Sequence, residues 1–451
     1  MRRDKTDQVA LGATDVLNIR SLLISPLTGI LCLLLVMIPA QAQTLNVLYT
    51  FAGGAVGATP MAGLTQDLAG NLYGTAEFGG VFLFCSATSC GTVYKVTRRG
   101  SGWVTTPVYS FRGAPDGATP MARVVFGADG ELYGTTQYGG TGFCPEGTLH
   151  GCGTVFKLQP PPTACKTPLC PWMETVLYSF VSEDDGYSPQ DEVTFDREGN
   201  IYGTTLWGGN SACSCGTVFK LTHNSDGSWT KTTLYSFQGG PNDGARPYAG
   251  VTLDAAGNIY GTTEYGGTNC SPSTSACGVI FKLTPNGSGW SETILHFFSG
   301  GADGAYPAGG LIFDGAGNLY GAAAGGGSGY GTVYELTPEQ SGWTFAVLYS
   351  FSGDQANGPY SKLSLDASGN LYGSSLEGGE YNGGTVYELS PASGGWSYST
   401  LHNFGTPQDG PDGCLLYGCV VLDAAANIYG AASACPYPDP DGGTVFELTP
   451  N

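Results

Sequence analysis

A chain of 451 residues with 17 Lys+Arg against 37 Asp+Glu carries a formal net charge of −20. That balance argues against nucleic acid or an anionic membrane surface as partner, since both are held through Lys and Arg. With 73 glycines, 12% aromatic and only 12% charged residues, the composition fits short strands and tight turns and excludes a long-helical or disordered protein.

In chain order, residues 1–42 stand apart. Arg2, Arg3, Lys5 and Arg20 precede the apolar run Ile30 to Ile38, which ends in Pro39-Ala40-Gln41-Ala42. A basic start, an apolar middle and a small-x-small end read as a secretory signal peptide, leaving 43–451 as one domain that is secreted, periplasmic or on the cell surface. An uncleaved anchor is the alternative, but the run is shorter than the ~20 residues a spanning helix needs. Cleavage removes four basic and three acidic groups and leaves 13 against 34, a net −21. Cations or neutral glycans suit such a surface, although acidity also simply keeps a secreted protein soluble. The chain ends at Thr449-Pro450-Asn451 without an apolar tail, so no membrane association is expected after cleavage, and a monomer is expected.

From residue 44 onward three strings return seven times in fixed order. An L-Y-S-F-like string ends at Phe51, Phe111, Phe180, Phe237, Phe298, Phe351 and Phe404. A G-N-L-Y-G-T-like string carries Tyr73, Tyr133, Tyr202, Tyr260, Tyr320, Tyr372 and Tyr429. A G-T-V-F-K-L-like string starts at Gly91, Gly153, Gly216, Gly278, Gly331, Gly384 and Gly443. A period of 52 to 69 residues means one supersecondary unit copied and stacked.

Each unit holds four strand-like runs, here called A to D. In the fifth unit they are Gly310–Asp314, Asn318–Gly321, Thr332–Leu336 and Trp343–Phe351. D-x-x-G-N links A to B, and its aspartates (Asp67, Asp196, Asp254, Asp314, Asp366, Asp423) are expected to bond turn amides, with Gly127 in their place in the second copy. In strand D a tryptophan (Trp103, Trp172, Trp229, Trp290, Trp343, Trp396) precedes the L-Y-S-F tyrosine position by six residues, an even spacing that predicts both rings on one face. Four antiparallel strands per unit, apolar on both faces, predict an all-β, seven-bladed β-propeller. The chain opens with an unmatched D strand, Thr44–Phe51, and ends with an A-B-C set, Val420–Leu448, that lacks one. Pairing the two closes the ring; a linear solenoid would not need that match.

The strings L-Y-S-F, D-x-x-G-N-L-Y-G-T and G-T-V-F-K-L-T-P, together covering nearly all of residues 44–450, resemble the GloVer tandem-repeat family, secreted bacterial proteins with a choice of C-terminal anchors. The resemblance implies an exported repeat protein and brings no catalytic residues; the absence of a sorting tail departs from anchored members. The D-x-x-G-N-L-Y hairpin is also similar to those of NHL-type propellers, which bears on fold only.

Fourteen cysteines suit an oxidising compartment. Close pairs predict local disulfides Cys85/Cys90, Cys144/Cys152, Cys165/Cys170, Cys270/Cys277 and Cys414/Cys419, with Cys213/Cys215 doubtful at a one-residue gap and Cys435 left over. Zinc competes as an explanation, but successive pairs lie far apart.

No nucleophile elbow, metal-binding helix, phosphate loop or EF-hand string occurs. None of the four histidines, His150, His223, His296 and His402, recurs at one repeat position with a carboxylate or nucleophile, and His296 and His402 merely replace the L-Y-S-F tyrosine. D-to-A and B-to-C connections emerge on one face of such a ring, where function is expected. The first carries Asp116, Asp185, Asp243, Asp303 and Asp409, with Asn357 and Val56 at the other two places. This acidic rim could hold Ca²⁺ or simply make turns; no other cofactor is expected. The second is longer in units 1 to 4, carries their cysteines, and presents Phe78, Tyr138, Trp207 and Tyr265 just before Gly-Gly. Rigid rings on stapled loops suit a glycan or protein ligand, or pack beneath their own loops. The third string has Lys95, Lys157, Lys220 and Lys282 in units 1–4 but Glu335, Glu388 and Glu447 in 5–7, read as solvated edge charges. The expectation is an extracellular binding module without catalysis. The alternatives are a carbohydrate-active hydrolase or lyase using channel carboxylates, and a self-assembling surface-layer component.

Overall fold

A computed structural model describes residues 43–80, 90–144, 151–162, 171–268, 277–405, 412–434 and 442–450. These form seven four-stranded antiparallel sheets, each with spatial order A-B-C-D. Strand A is reduced to two residues, as at Ile312–Phe313, while B, C and D run as Leu319–Ala323, Thr332–Glu339 and Gly342–Ser350. The ring closes as the strings require. Thr44–Thr50 lies antiparallel on Thr444–Thr449, with Leu45 opposite Leu448 and Val47 opposite Phe446, and so serves as strand D of blade 7.

The core lies between blades rather than within them. Among the described residues the buried apolar side chains gather into seven clusters, one per joint. At each joint the L-Y-S-F phenylalanine meets the third-string aromatic of the next blade. Phe111 and Phe156 are 5.0 Å apart edge to face, and Phe51 and Tyr94 repeat the contact at 5.1 Å across the closure. The second-string glycine exists for this ring: a Cβ on Gly74 would lie 2.4 Å from the Tyr94 hydroxyl.

The even spacing in strand D misleads. A bulge interrupts the C–D register in every blade, for example between Val93 and Tyr94 of blade 1, and one extra residue reverses the alternation beyond it. Trp103 therefore packs into the joint with blade 7, against Tyr429, whereas Tyr109 packs into the joint with blade 2. The lysines and glutamates of the third string are not loose edge charges either. Lys95, Lys220 and Lys282 lie 5.1, 5.2 and 5.4 Å from the ring centroids of Tyr73, Tyr202 and Tyr260. Glu335 and Glu447 instead accept hydrogen bonds from the hydroxyls of Tyr320 and Tyr429.

The A–B turn aspartates do what their spacing implies. Asp67 accepts the amides of Ala69 and Asn71, the Asn71 side chain and the Tyr73 hydroxyl at 2.7–3.2 Å. Where Gly127 stands in blade 2, Asp129 takes over and accepts from Glu131 N and the Tyr133 hydroxyl.

Candidate functional site

The D-to-A and B-to-C connections are stitched together on one face. Short antiparallel pairings join Ala118 to Tyr138, Ala245 to Tyr265, Ala58 to Phe78 and Tyr187 to Trp207. The residue after each of these first partners, and after Ala305 and Cys414, which pair likewise with Gly325 and Ser433, is left-handed: Thr59, Thr119, Ser188, Arg246, Tyr306 and Leu415 have φ between 53° and 61°. Its N–H donates to the preceding blade, as Thr119 does to Cys90 O and Thr59 does to Gly442 O at 2.9 Å. Its carbonyl accepts from the segment just beyond its own strand B, as Thr59 O does from Glu77 N. This kink turns the chain from the rim towards the axis.

The acidic-rim residues serve that kink. Asp116 accepts the Tyr109 hydroxyl and the amides of Arg112 and Gly117. Asp185 accepts the Tyr178 hydroxyl and pairs with Lys231 at 2.8 Å. Asp243 accepts the amides of Gln238 and Gly244 at 2.6 Å, and Asp303 accepts from Ser299 N and faces His296 Nε2 at 3.2 Å. Each is engaged within its own turn or by the adjoining blade, and among the described residues no three His, Cys, Asp or Glu side chains converge as a metal site. Asp409 lies outside the described residues; in blade 7 Asp412 faces His402 Nε2 at 3.1 Å. In blade 6 the role falls to Gln355, bonded to the Tyr349 hydroxyl at 2.7 Å, while Asn357 binds Glu377 instead. His296 and His402 thus stand in for tyrosine as partners of the turn carboxylate.

Next-blade side chains cover these carboxylates, and two of the covers are acids. Glu174, beside Asp116, has its pKa pushed up to about 8 by burial and then by the Asp116 charge. Glu292, beside Asp243, is likewise raised by burial and then by that neighbour.

Among the rim aromatics, all half-buried, Phe78 pairs through its backbone with Ala58, and Tyr138 and Trp207 lean on the joints of blades 1–2 and 2–3. Trp207 and Tyr265 are brought together by Arg246, whose guanidinium carbon lies 4.2 Å from the Trp207 ring centroid and 4.8 Å from that of Tyr265. Tyr265 continues edge to face into Tyr306 at 5.7 Å. Arg246 and Tyr265 line a cleft of about 610 Å³ together with Cys213, Cys215, Gly240 and Pro241.

The disulfides Cys144–Cys152 and Cys213–Cys215 are formed. Cys90 and Cys277 are disulfide-bonded as well, while Cys85, Cys165, Cys170, Cys270 and Cys435 lie outside the described residues. The pairing of Cys414 with Cys419 is not formed: Cys414 is disulfide-bonded elsewhere, and Cys419 is a buried free thiol. The left-handed turn at Leu415 separates them, leaving Cys414 at the rim and sending Cys419 to the axis, against Gly63.

The axis holds what the motifs did not reveal. Three residues beyond the proline of the kink, or its Leu416 equivalent in blade 7, stand Gly63, Arg123, Glu192, Gly250, Gly310, Lys362 and Cys419. The Glu192 carboxylate takes Arg123 Nε on one oxygen and Lys362 Nζ, from the far side of the ring, on the other at 2.8 Å. Glu192 is buried, yet these two cations hold its pKa below the ordinary range, while burial and the Glu192 charge raise that of Asp191. Above this bridge remains a cavity of about 70 Å³, edged by Tyr248, Tyr360 and Tyr417. Comparing that single column across the repeats, small residues interrupted by charges of both signs, is the signal that would have found it.

The family model described as the Gloeobacter/Verrucomicrobia repeat matches residues 35–172, 142–271 and 267–451. No curated protein matches the sequence. Among solved structures, a fungal alcohol oxidase of the AA5 family in complex with copper shares 14% identity over 91% of this chain and 76% of its own, with a TM-score of 0.51. A putative gluconolactonase shares 12% over 92% and 93% (TM-score 0.39), and a putative oxidoreductase (glucose dehydrogenase) from Thermus thermophilus shares 15% over 90% and 99% (TM-score 0.40). Identities this low speak to fold and carry nothing of activity.

Proposed function

The chain belongs to the Gloeobacter/Verrucomicrobia repeat family, and from that premise we propose that it is an extracellular binding module whose ligand, a glycan, seats on the rim of blades 3 and 4. The observation that carries this reading is the 610 Å³ cleft lined by Arg246 and Tyr265, with the Trp207 ring held against the Arg246 guanidinium. Its volume falls in the range of about 300–1,000 Å³ usual for small-ligand sites. Aromatic faces and a fixed polar group are what a sugar ring, apolar on one side and hydroxylated at its edge, needs from a pocket. Secretion through the 1–42 leader and a monomeric state belong to the same reading.

Catalysis by channel carboxylates gains nothing from this geometry. The axial cavity of about 70 Å³ is smaller than a sugar site requires, and Glu192 is engaged by two cations. A polysaccharide pull-down with the purified chain tests the proposal. Retention on a glycan, lost in Trp207→Ala and Tyr265→Ala with unchanged melting, is the expected result. Release of reducing ends or unsaturated products would replace it with the enzymatic reading, and equal retention of both variants would move the site elsewhere.

A further inference from the structure

We infer that the rim cleft selects saccharides bearing a carboxylate, such as uronates, and that Arg246 is the group that reads the charge. The inference rests on the glycan reading above and adds the ligand's chemical class.

Lys95 and Lys282 each rest on one aromatic ring, whereas Arg246 lies over two and lines a cleft. Among the described residues, the Lys and Arg ion pairs are Arg123–Glu192, Lys157–Glu131, Lys220–Asp196, Lys231–Asp185 and Lys362–Glu192; Arg246 belongs to none. It is held instead by two aromatic rings. Cation–π attraction fixes a guanidinium without supplying the carboxylate oxygens that its planar fork of N–H donors is built to receive. Arg246 lines the cleft, so an entering carboxylate would complete the bidentate pair that the protein itself does not provide. Glu264 is the neighbouring acid, beyond ion-pair distance, and burial moves its pKa upward while Arg246 pulls the other way. In a chain of net charge −20, a half-buried arginine that closes no ion pair with its acidic neighbour is a selective feature, because the surrounding field disfavours anions that lack a specific partner.

The position itself needs no arginine. Thr59 and Thr119 occupy it in blades 1 and 2 with the same left-handed backbone, φ 56° against 57°. Arg246→Thr is therefore a variant whose fold the chain already demonstrates.

Calorimetry on the whole mature chain should use oligogalacturonate and its fully methyl-esterified form, in which a methyl group removes each carboxylate charge, with dextran sulfate as a second anion. The expected result is binding of the acid form, at least about tenfold weaker for the ester and for Arg246→Thr, with Tyr265→Ala weakening both forms. Equal affinity for acid and ester, unchanged in Arg246→Thr but lost in Tyr265→Ala, would overturn the carboxylate and leave the glycan site standing. Tighter binding of dextran sulfate would overturn it in favour of sulfate. No binding of any probe or of neutral glycans would overturn both readings.

Discussion

Lys362 of blade 6 reaches across the axis to the carboxylate of Glu192 in blade 3, Nζ to Oε1 2.8 Å, joining residues 170 apart in sequence. With Arg123 on the other oxygen, one carboxylate ties three blades together where the ring would otherwise be lined by small side chains. Glu192→Gln leaves two cations facing each other around a neutral amide. A loss of about 2–4 kcal/mol is expected in urea unfolding, below the fully buried limit because both cations keep about a quarter of their surface exposed. Replacing all three residues by apolar ones of similar size should cost less than the single change, since no charge is then left unpaired.

Ring closure makes a second expectation. The strand Thr44–Thr50 covers the edge of Thr444–Thr449, and its Leu48, with Phe51 beyond it, enters the joint between blades 7 and 1. Deleting residues 43–51 uncovers that edge and removes two side chains whose burial stabilises by about 1.5–3 kcal/mol each. The melting temperature should fall sharply and size-exclusion profiles should show association through the open edge. Addition of the missing segment as a peptide should reverse both.

The two kinds of left-handed glycine separate backbone strain from crowding. At Gly317, φ +91°, a Cβ would meet nothing within 4 Å, whereas at Gly331, φ +101°, it would lie 2.5 Å from Pro359 Cδ and 2.6 Å from the Ala323 carbonyl. Gly317→Ala should cost only the conformational penalty, about 1–2 kcal/mol. Gly331→Ala, which must also push blade 6 away, should cost at least about 3 kcal/mol. Paired thermal melts check the difference.

The fold was legible because its signals are local and recur. The Asp67 turn and the unmatched strand at Thr44 each declare themselves in residue type and spacing. What stayed hidden depends on register or on meetings between distant repeats. Nothing in the side chains of strand D marks the bulge, so Trp103 and Tyr109 looked like neighbours on one face. The Arg123–Glu192–Lys362 bridge assembles from three repeats whose motifs do not include those positions. Arg246 lies between two of the recurring strings, and its link to Trp207 and Tyr265 exists only once the D-to-A and B-to-C connections are paired.

Acid response follows from carboxyls shifted in opposite directions. Burial raises Glu77 to about 7 and Glu174 to about 8, and raises Glu292 as well. An acid whose folded pKa lies above its unfolded value of about 4.3 contributes stability that is complete below that value and is lost as pH rises through the folded one. The turn aspartates Asp67, Asp196, Asp254, Asp314 and Asp423 run the other way. Burial alone would raise them, but their accepted hydrogen bonds more than offset it and leave each pKa lowered. Their contribution is present above about 3.9 and fails only as pH falls below it. Maximum stability is therefore expected between about pH 4 and 6, with melting temperature declining by a few degrees from pH 5 to 9. Glu77→Gln combined with Glu174→Gln should flatten that decline, because an amide in either place has no proton to lose. A decline of unchanged slope in the double variant would assign it to general charge repulsion instead.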